Sequence, residues 1–173
     1  MQQQKREEIR KEMEELMDVF IDKEYDEING TLFFKDSHIY EILKMGRCKV
    51  AVELRTLMMI DSLEMNAQDR ALITYNCKNC NEENIVITHG TDTMAETAEY
   101  LAERISGKTI VLTGALIPYR FGSSDGLFNL GNALGFVQCL PPGVYVVMNG
   151  RSFKAGNVEK NKTTGIFETL DKQ

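Results

Sequence analysis

The amino-acid sequence predicts a doubly wound α/β fold, Rossmann or flavodoxin-like, with helices on both faces of a parallel sheet. Three observations carry that expectation. From Asn84 onward, short apolar runs alternate with stretches of helical periodicity. The apolar runs are rich in β-branched residues, as buried strands require. The chain of 173 residues suits one domain with a sizeable core and leaves little room for two. Strands alternating with helices make right-handed βαβ units, which lay a parallel sheet between two helical layers.

The elements follow in chain order. Ile9, Met13, Leu16, Met17 and Phe20 recur at helical spacing among Lys, Arg and Glu, which predicts an amphipathic helix over residues 3–17. Lys11, Glu12, Glu14 and Glu15 are too costly to bury in a central strand, so any first strand is confined to residues 17–21. A turn-rich piece surrounds Asn29-Gly30, and Ser37 is placed to cap a short helix through Leu43. Residues 49–54 alternate as a strand does. Asn66 with Asp69 three residues on marks the start of a helix running to about Asn76. Residues 84–88 form a strand, and residues 94–105 a helix with Ala95, Ala98, Leu101, Ala102 and Ile105 on one face. Residues 109–113 form a second strand, Asp125 caps a helix through Gln138, and Pro141-Pro142-Gly143 ends it before a third strand over 144–148. There is no internal repeat and no low-complexity linker.

Composition narrows the function. A net charge of −6 argues against a nucleic-acid footprint. No apolar run reaches membrane-spanning length, and the charged N-terminus does not read as a signal peptide, so a cytoplasmic location is the expectation. The Asn-x-Thr triplets at Asn29 and Asn161 then carry no glycosylation meaning. Of four cysteines, Cys77 and Cys80 form a lone C-x-x-C. A zinc site needs two more ligands, and a redox motif should follow a strand, so the pair is expected to be two thiols in a helix-to-strand loop. No metal and no cofactor are expected, since neither G-x-G-x-x-G nor a P-loop run is present.

Ligands in such sheets bind at the carboxyl ends of strands, which marks the loops beginning at His89, Gly114 and Asn149. The first holds Thr91, Asp92 and Thr93 just before a helix. Capping of that helix and binding of an anionic ligand at its free N–H groups are two readings of the same three side chains.

The residues around that loop resemble a known family. Ile87-Thr88-His89-Gly90-Thr91-Asp92-Thr93-Met94, followed by Glu96-Thr97, resembles the second catalytic motif of type I and II L-asparaginases. Ile60-Asp61-Ser62-Leu63-Glu64-Met65 resembles the family's substrate-binding loop. Val111-Leu112-Thr113-Gly114-Ala115 with Pro118, then Ser124-Asp125-Gly126 and Phe128-Asn129-Leu130, resembles the next block. Val146-Val147-Met148-Asn149-Gly150 and Val158-Glu159-Lys160 resemble the one after. The blocks stand in family order from Leu57 to Thr164. The resemblance is nearest to the short, single-domain asparaginase-like proteins. It implies an asparaginase-like N-terminal α/β domain over residues 21–173, without the family's C-terminal domain, while the helical spacing sets residues 1–20 apart as an N-terminal amphipathic segment.

The resemblance also assigns roles. Thr91 matches the threonine of the family's Thr-Lys-Asp group and Lys160 its lysine. A hydroxyl is a weak nucleophile that needs a base, and a desolvated lysine is suited to take its proton. Asp92 matches the carboxylate that holds the substrate's α-amino group, Ser62 a residue that holds its α-carboxylate, and Gly90 and Ala115 backbone positions at the site. Leu63 stands where the larger enzymes often have a polar residue. His89 matches a positioning residue rather than a base, and Asp125 reads as a helix cap.

The first catalytic motif departs from the family. Ile21-Asp22-Lys23-Glu24-Tyr25 resembles the run that follows the family's Gly-Gly-Thr-Ile, but Asp18-Val19-Phe20 precede it. Phe20 therefore stands in place of the nucleophilic threonine, and the tyrosine of that motif has no match near Leu32, Phe33 and Phe34. Two functions follow as expectations. One is an amidohydrolase releasing ammonia from asparagine or a related amino-acid amide by threonine catalysis. The alternative is a pseudoenzyme that binds a small amino acid or dicarboxylate. A homodimer is expected, because family sites lie near subunit contacts.

Overall fold

A computed structural model describes residues 38–119 and 123–170, together with the backbone of two short strands before them. Those strands are β1 (Glu24–Asp26) and β2 (Thr31–Phe33), an antiparallel pair in which Glu24 lies opposite Phe33. The expected helix over residues 3–17, a first strand at 17–21 and Phe20 all lie outside the described residues, as does Ser37.

The core is a four-stranded sheet in the order β3 (Asn84–Thr88), β4 (Thr109–Thr113), β5 (Gly143–Met148) and β6 (Arg151–Lys154). The first three are parallel, with Ile85 beside Ile110 and Ile110 beside Val144. The strands at 84–88 and 109–113 are as the sequence predicts, and the third begins one residue earlier than expected.

Each of the three parallel strands feeds two cores, because successive side chains point to opposite faces. Ile85, Ile87, Ile110, Leu112, Val144, Val146 and Met148 belong to one cluster. Helices α2 (Ala67–Asn79) and α3 (Met94–Ala102) cover it with Ile73, Cys77, Met94, Ala98 and Leu101. Val86, Val111, Tyr145 and Val147 belong to the other, covered by α1 (Ile39–Met45) and α4 (Gly126–Val137) through Ile39, Ile42, Leu130, Ala133 and Val137. Both faces are buried, which is why the strands are apolar at nearly every position.

The helix ends show where local chemistry rules. Asn66 accepts from the N–H groups of Gln68 and Asp69 while Asp69 accepts from that of Asn66, a reciprocal box that starts α2. α2 continues three residues past the expected end. α1 begins after His38, whose side chain makes no capping bond. α3 stops at Ala102 rather than Ile105. Its buried stripe is Met94, Thr97, Ala98 and Leu101, and Ala102 is exposed. The chain leaves the helix in a turn, with the N–H groups of Arg104 and Ile105 both donating to the Leu101 carbonyl.

Two expectations are corrected. Residues 49–54 form no strand. Val50 and Val52 do turn inward onto the second core, but alternation supplies only a face, and a strand also needs a hydrogen-bonded neighbour, which the described residues do not provide. Cys77 lies within α2 rather than in a loop, and Cys80 is its C-cap.

Two hairpins went unforeseen. Asn149 and Gly150 join β5 to the antiparallel β6, with φ of 52° and 79°. Two positive-φ residues are what a type I′ turn needs, and Asn-Gly is its strongest sequence signal. The second hairpin pairs β7 (Glu159–Lys160) with β8 (Phe167–Glu168), placing Lys160 opposite the fully buried Phe167.

One glycine has a steric reason. A β-carbon at Gly114 would stand 2.3 Å from the His89 carbonyl oxygen and 3.0 Å from Met94 Cε. Gly131, on the exposed side of α4, has nothing within 4 Å. Gly114→Ala is expected to destabilise the protein by about 2 kcal/mol or more, and Gly131→Ala to stabilise it by about 0.5–1 kcal/mol. Urea denaturation of both variants checks the pair.

Candidate active site

The parallel ladder brings the ends of β3 and β4 together. The His89 N–H donates to the Thr113 carbonyl at 2.8 Å, one step beyond the last strand pair. Past that bond both chains turn away, and the loops at His89 and Gly114 begin side by side. The loop after His89 enters α3 through Thr91, Asp92 and Thr93.

None of these hydroxyls caps the helix in the usual way. Thr93 is the N-cap, but its side chain makes no capping bond. Its Oγ1 donates instead to the Ser62 carbonyl at 2.8 Å, tying the buried Ser62 to the start of α3. The Ser62 turn is closed by Glu64 N–H donating to the Asp61 carbonyl and Leu63 N–H donating to Asp61 Oδ1. Leu63 points outward and is exposed.

Thr91 and Asp92 meet Lys160. Its Nζ donates to Thr91 Oγ1 at 2.8 Å and to Asp92 Oδ1 at 2.7 Å. Lys160 is largely covered, with 18% of its side chain exposed against 48% for Asp92. Two charge-assisted bonds from one ammonium hold the three groups in a single arrangement. The lysine is expected to be desolvated and ready to accept a proton. In this structure it is partnered by a carboxylate and donates to the hydroxyl, because Asp92 lies within reach of the same nitrogen.

Lys160 reaches the loop from a short support. The Asn161 N–H donates to the Ile166 carbonyl, and Asn161 Oδ1 accepts from Thr163 and Thr164 N–H, so the turn after the lysine is closed by one side chain.

His89 is 2% exposed. Its Nδ1 lies 2.7 Å from the Gly90 carbonyl oxygen. A carbonyl only accepts, so Nδ1 carries the ring proton and Nε2 is left as an acceptor. Nε2 has no hydrogen-bond partner among the described residues. Burial pushes the imidazole's pKa down to about 4, so the ring is neutral near pH 7.

Ala115 and Gly114 belong to a different arrangement. Asp125 sits at the N-cap of α4 without capping it. Its carboxylate accepts from Leu116 and Ile117 N–H at 3.0 Å each, folding the loop back on itself. Asn129, fully buried, donates to the Gly114 carbonyl and to Asp125 Oδ2 at 2.8 Å and accepts from Asn149 N–H at 2.9 Å. The cap reading of Asp125 is corrected: it is a loop clamp, since two amides of the preceding loop reach the carboxylate. The amides just after Ala115 are thereby occupied. Among the described residues Ala115 shares no hydrogen bond with Thr91, Asp92 or Lys160. The sequence places Asn129 in a family block without giving it a role, and offers Thr93 as a cap or a ligand-binding hydroxyl rather than as a tie to Ser62. The signal for Asn129 was a polar residue on the face of α4 that carries Leu130, Ala133 and Val137.

The described residues contain no group of three or more His, Cys, Asp and Glu side chains able to hold a metal. Burial and the neighbouring Cys80 push the Cys77 thiol up to about 12. None of the described helices is long and apolar enough to cross a membrane.

The sequence profile described as "Asparaginase, N-terminal" matches residues 4–171. The chain belongs to the asparaginase family. It is 34% identical over 126 residues to an L-asparaginase of Thermococcus kodakarensis, covering 69% of this chain and 38% of that one. It is 41% identical over 88 residues to L-asparaginase 2 of Escherichia coli K12, covering 49% of this chain and 25% of that one. The solved thermostable L-asparaginase of Thermococcus kodakarensis superposes with a TM-score of 0.77 at 26% identity, over 90% of this chain and 50% of that one. This asparaginase-family chain thus spans half or less of these relatives. The mainly parallel α/β sheet is that of its solved neighbours.

The buried His89 makes stability depend on pH. The unfolded chain takes up a proton at its ordinary pKa of 6.5, and the folded protein only near 4. Stability is therefore full above pH 6.5 and falls as pH drops towards 4, by up to about 3 kcal/mol. His89→Asn is expected to flatten that window, as read by urea unfolding at a series of pH values.

Proposed function

We propose that this chain hydrolyses the side-chain amide of asparagine or a related amino-acid amide, releasing ammonia. The observation that carries the reading is Lys160 Nζ shared between Thr91 Oγ1 and Asp92 Oδ1. In the resting arrangement Asp92 holds the ammonium. A substrate's α-ammonium competes for the same carboxylate, with Ser62 taking the α-carboxylate, and draws Asp92 away from Lys160. Lys160, after passing a proton to solvent water, accepts that of Thr91. The freed oxygen attacks the amide carbon, with backbone groups at Gly90 and Ala115 beside the reacting carbonyl. Lys160 returns the proton to the departing nitrogen, ammonia leaves, and water cleaves the resulting ester to the carboxylic acid. Thr91 is the nucleophile in this scheme because Phe20 offers no hydroxyl. His89 keeps a positioning role, since its free nitrogen is buried.

The departure at Phe20 favours a second reading, a pseudoenzyme that holds an amino acid or dicarboxylate with the same Asp92 and Ser62. The homodimer remains part of the proposal, and sedimentation showing only monomer at micromolar concentration would count against it.

Thr91→Ala and Lys160→Met are each expected to slow ammonia release by about 100-fold or more, while Cys139→Ser leaves it unchanged. Release that survives Thr91→Ala would defeat the proposed nucleophile. Heat of aspartate binding without ammonia release from any amide would favour the pseudoenzyme.

A further inference from the structure

Cys77 and Cys80 lie where α2 ends before β3, at the edge of the sheet opposite the proposed amide site. Both are free thiols. The sequence alone reads them as two plain thiols, and the structure adds their setting. The Cys80 N–H donates to the Asn76 carbonyl at 3.0 Å, so the last turn of α2 runs on to Cys80. Three residues of helical chain put the two α-carbons about 5 Å apart. That lies inside the span of about 4.4–6.8 Å that a disulfide bridges. Cys80 Sγ turns back over the same turn and donates to the Cys77 carbonyl at 3.4 Å.

A cation stands beside the pair. Lys108, just before β4, donates from Nζ to the Cys80 carbonyl at 2.7 Å and to Cys80 Sγ at 3.3 Å. The bond to the carbonyl keeps the ammonium against the sulfur. Cysteines that react with oxidants lie against cations and reach solvent. Cys80 has both features, with 8% of it exposed, whereas Cys77 is fully buried. Cys77 is closed to outside reagents. A Cys80 sulfur that had gained an oxygen would nevertheless stand within the same turn of helix as the Cys77 thiol.

We propose that Cys77 and Cys80 form a modification site at which a hydroperoxide oxidises the pair to a disulfide. The Cys80 thiol passes its proton to water, and its sulfur attacks the terminal oxygen of the peroxide. The O–O bond breaks, and the departing oxygen takes up a proton and leaves as water or an alcohol. Cys80 is then a sulfenic acid. The Cys77 sulfur attacks the Cys80 sulfur, the S–O bond breaks, and the departing hydroxide carries off the Cys77 proton as water. Two thiols have lost two electrons, and those electrons have reduced the O–O bond. The site is separate from the proposed amide chemistry, so an inactive chain leaves its test intact.

The test uses the full chain carrying Cys48→Ser and Cys139→Ser, which leaves Cys77 and Cys80 as its only thiols. Hydrogen peroxide is the probe, and remaining thiols are blocked with iodoacetamide before digestion. Trypsin cuts after Arg70, Lys78 and Arg104. The bridge is therefore expected as peptide 71–78 joined to peptide 79–104, a pair that dithiothreitol separates. With Cys77→Ser added, dimedone should trap a sulfenic acid on Cys80. With Cys80→Ser added, it should trap none on Cys77. Lys108→Met should slow bridge formation about tenfold, and Lys108→Arg should largely keep the rate. The proposal is overturned if the two peptides stay separate, or if Cys80 goes on to a sulfinic acid instead of the bridge. It is equally overturned if dimedone labels Cys77 rather than Cys80, or if Lys108→Met oxidises at the pace of its parent.

Discussion

The close parallel pairing of β3 with β4 supports everything at the carboxyl edge of the sheet. Its last bond, from His89 N–H to the Thr113 carbonyl, is possible only because Gly114 has no side chain. A β-carbon there would overlap the His89 carbonyl and push the two loops apart. With the strands that close, the loop carrying Thr91 and the loop carrying Ala115 start from neighbouring points. Below that edge, packing on both faces leaves the strands no freedom to slide. A one-residue slip would move Ile110 and Leu112 into the core of the opposite face.

Above the edge, polar side chains replace the ladder. Asn129 is buried in an otherwise apolar face, and it meets a carbonyl and a carboxylate from the two ends of the loop before α4 and an N–H from the turn after β5. An unmet amide in that place would be costly, so the network is favourable only when all three partners are present. It ties the turn at Asn149, itself in the left-handed region, to the loop after β4. The rigidity of one end of the sheet thus rests on a residue that touches none of the proposed reacting groups.

Lys160 completes the proposed site from far along the chain. It sits 69 residues after Thr91 on a strand of two residues. Such a strand has little stability of its own. Phe167, fully buried opposite the lysine, anchors the hairpin in the core shared with α2 and α3. The same apolar cluster that stabilises the sheet therefore sets where the ammonium stands.

The sequence by itself determined the strands, because Asn84–Thr88 and Thr109–Thr113 are apolar runs too short for helices and bounded by polar residues. It determined the start of α2, because the Asn66 and Asp69 box closes within four residues. The motif order also singled out Thr91, Asp92 and Lys160 as one group. Residues 49–54 misled because alternation marks a face, while a strand depends on a neighbour that periodicity does not contain. Asp125 misled because a carboxylate before a helix suits a cap, and only folding brought the amides of Leu116 and Ile117 to it first. Tertiary structure alone decided that Lys160 donates to Asp92 as well as to Thr91, and that His89 is neutral. Each of these depends on distances and burial between segments far apart in the chain, and those quantities are set by how the two cores pack.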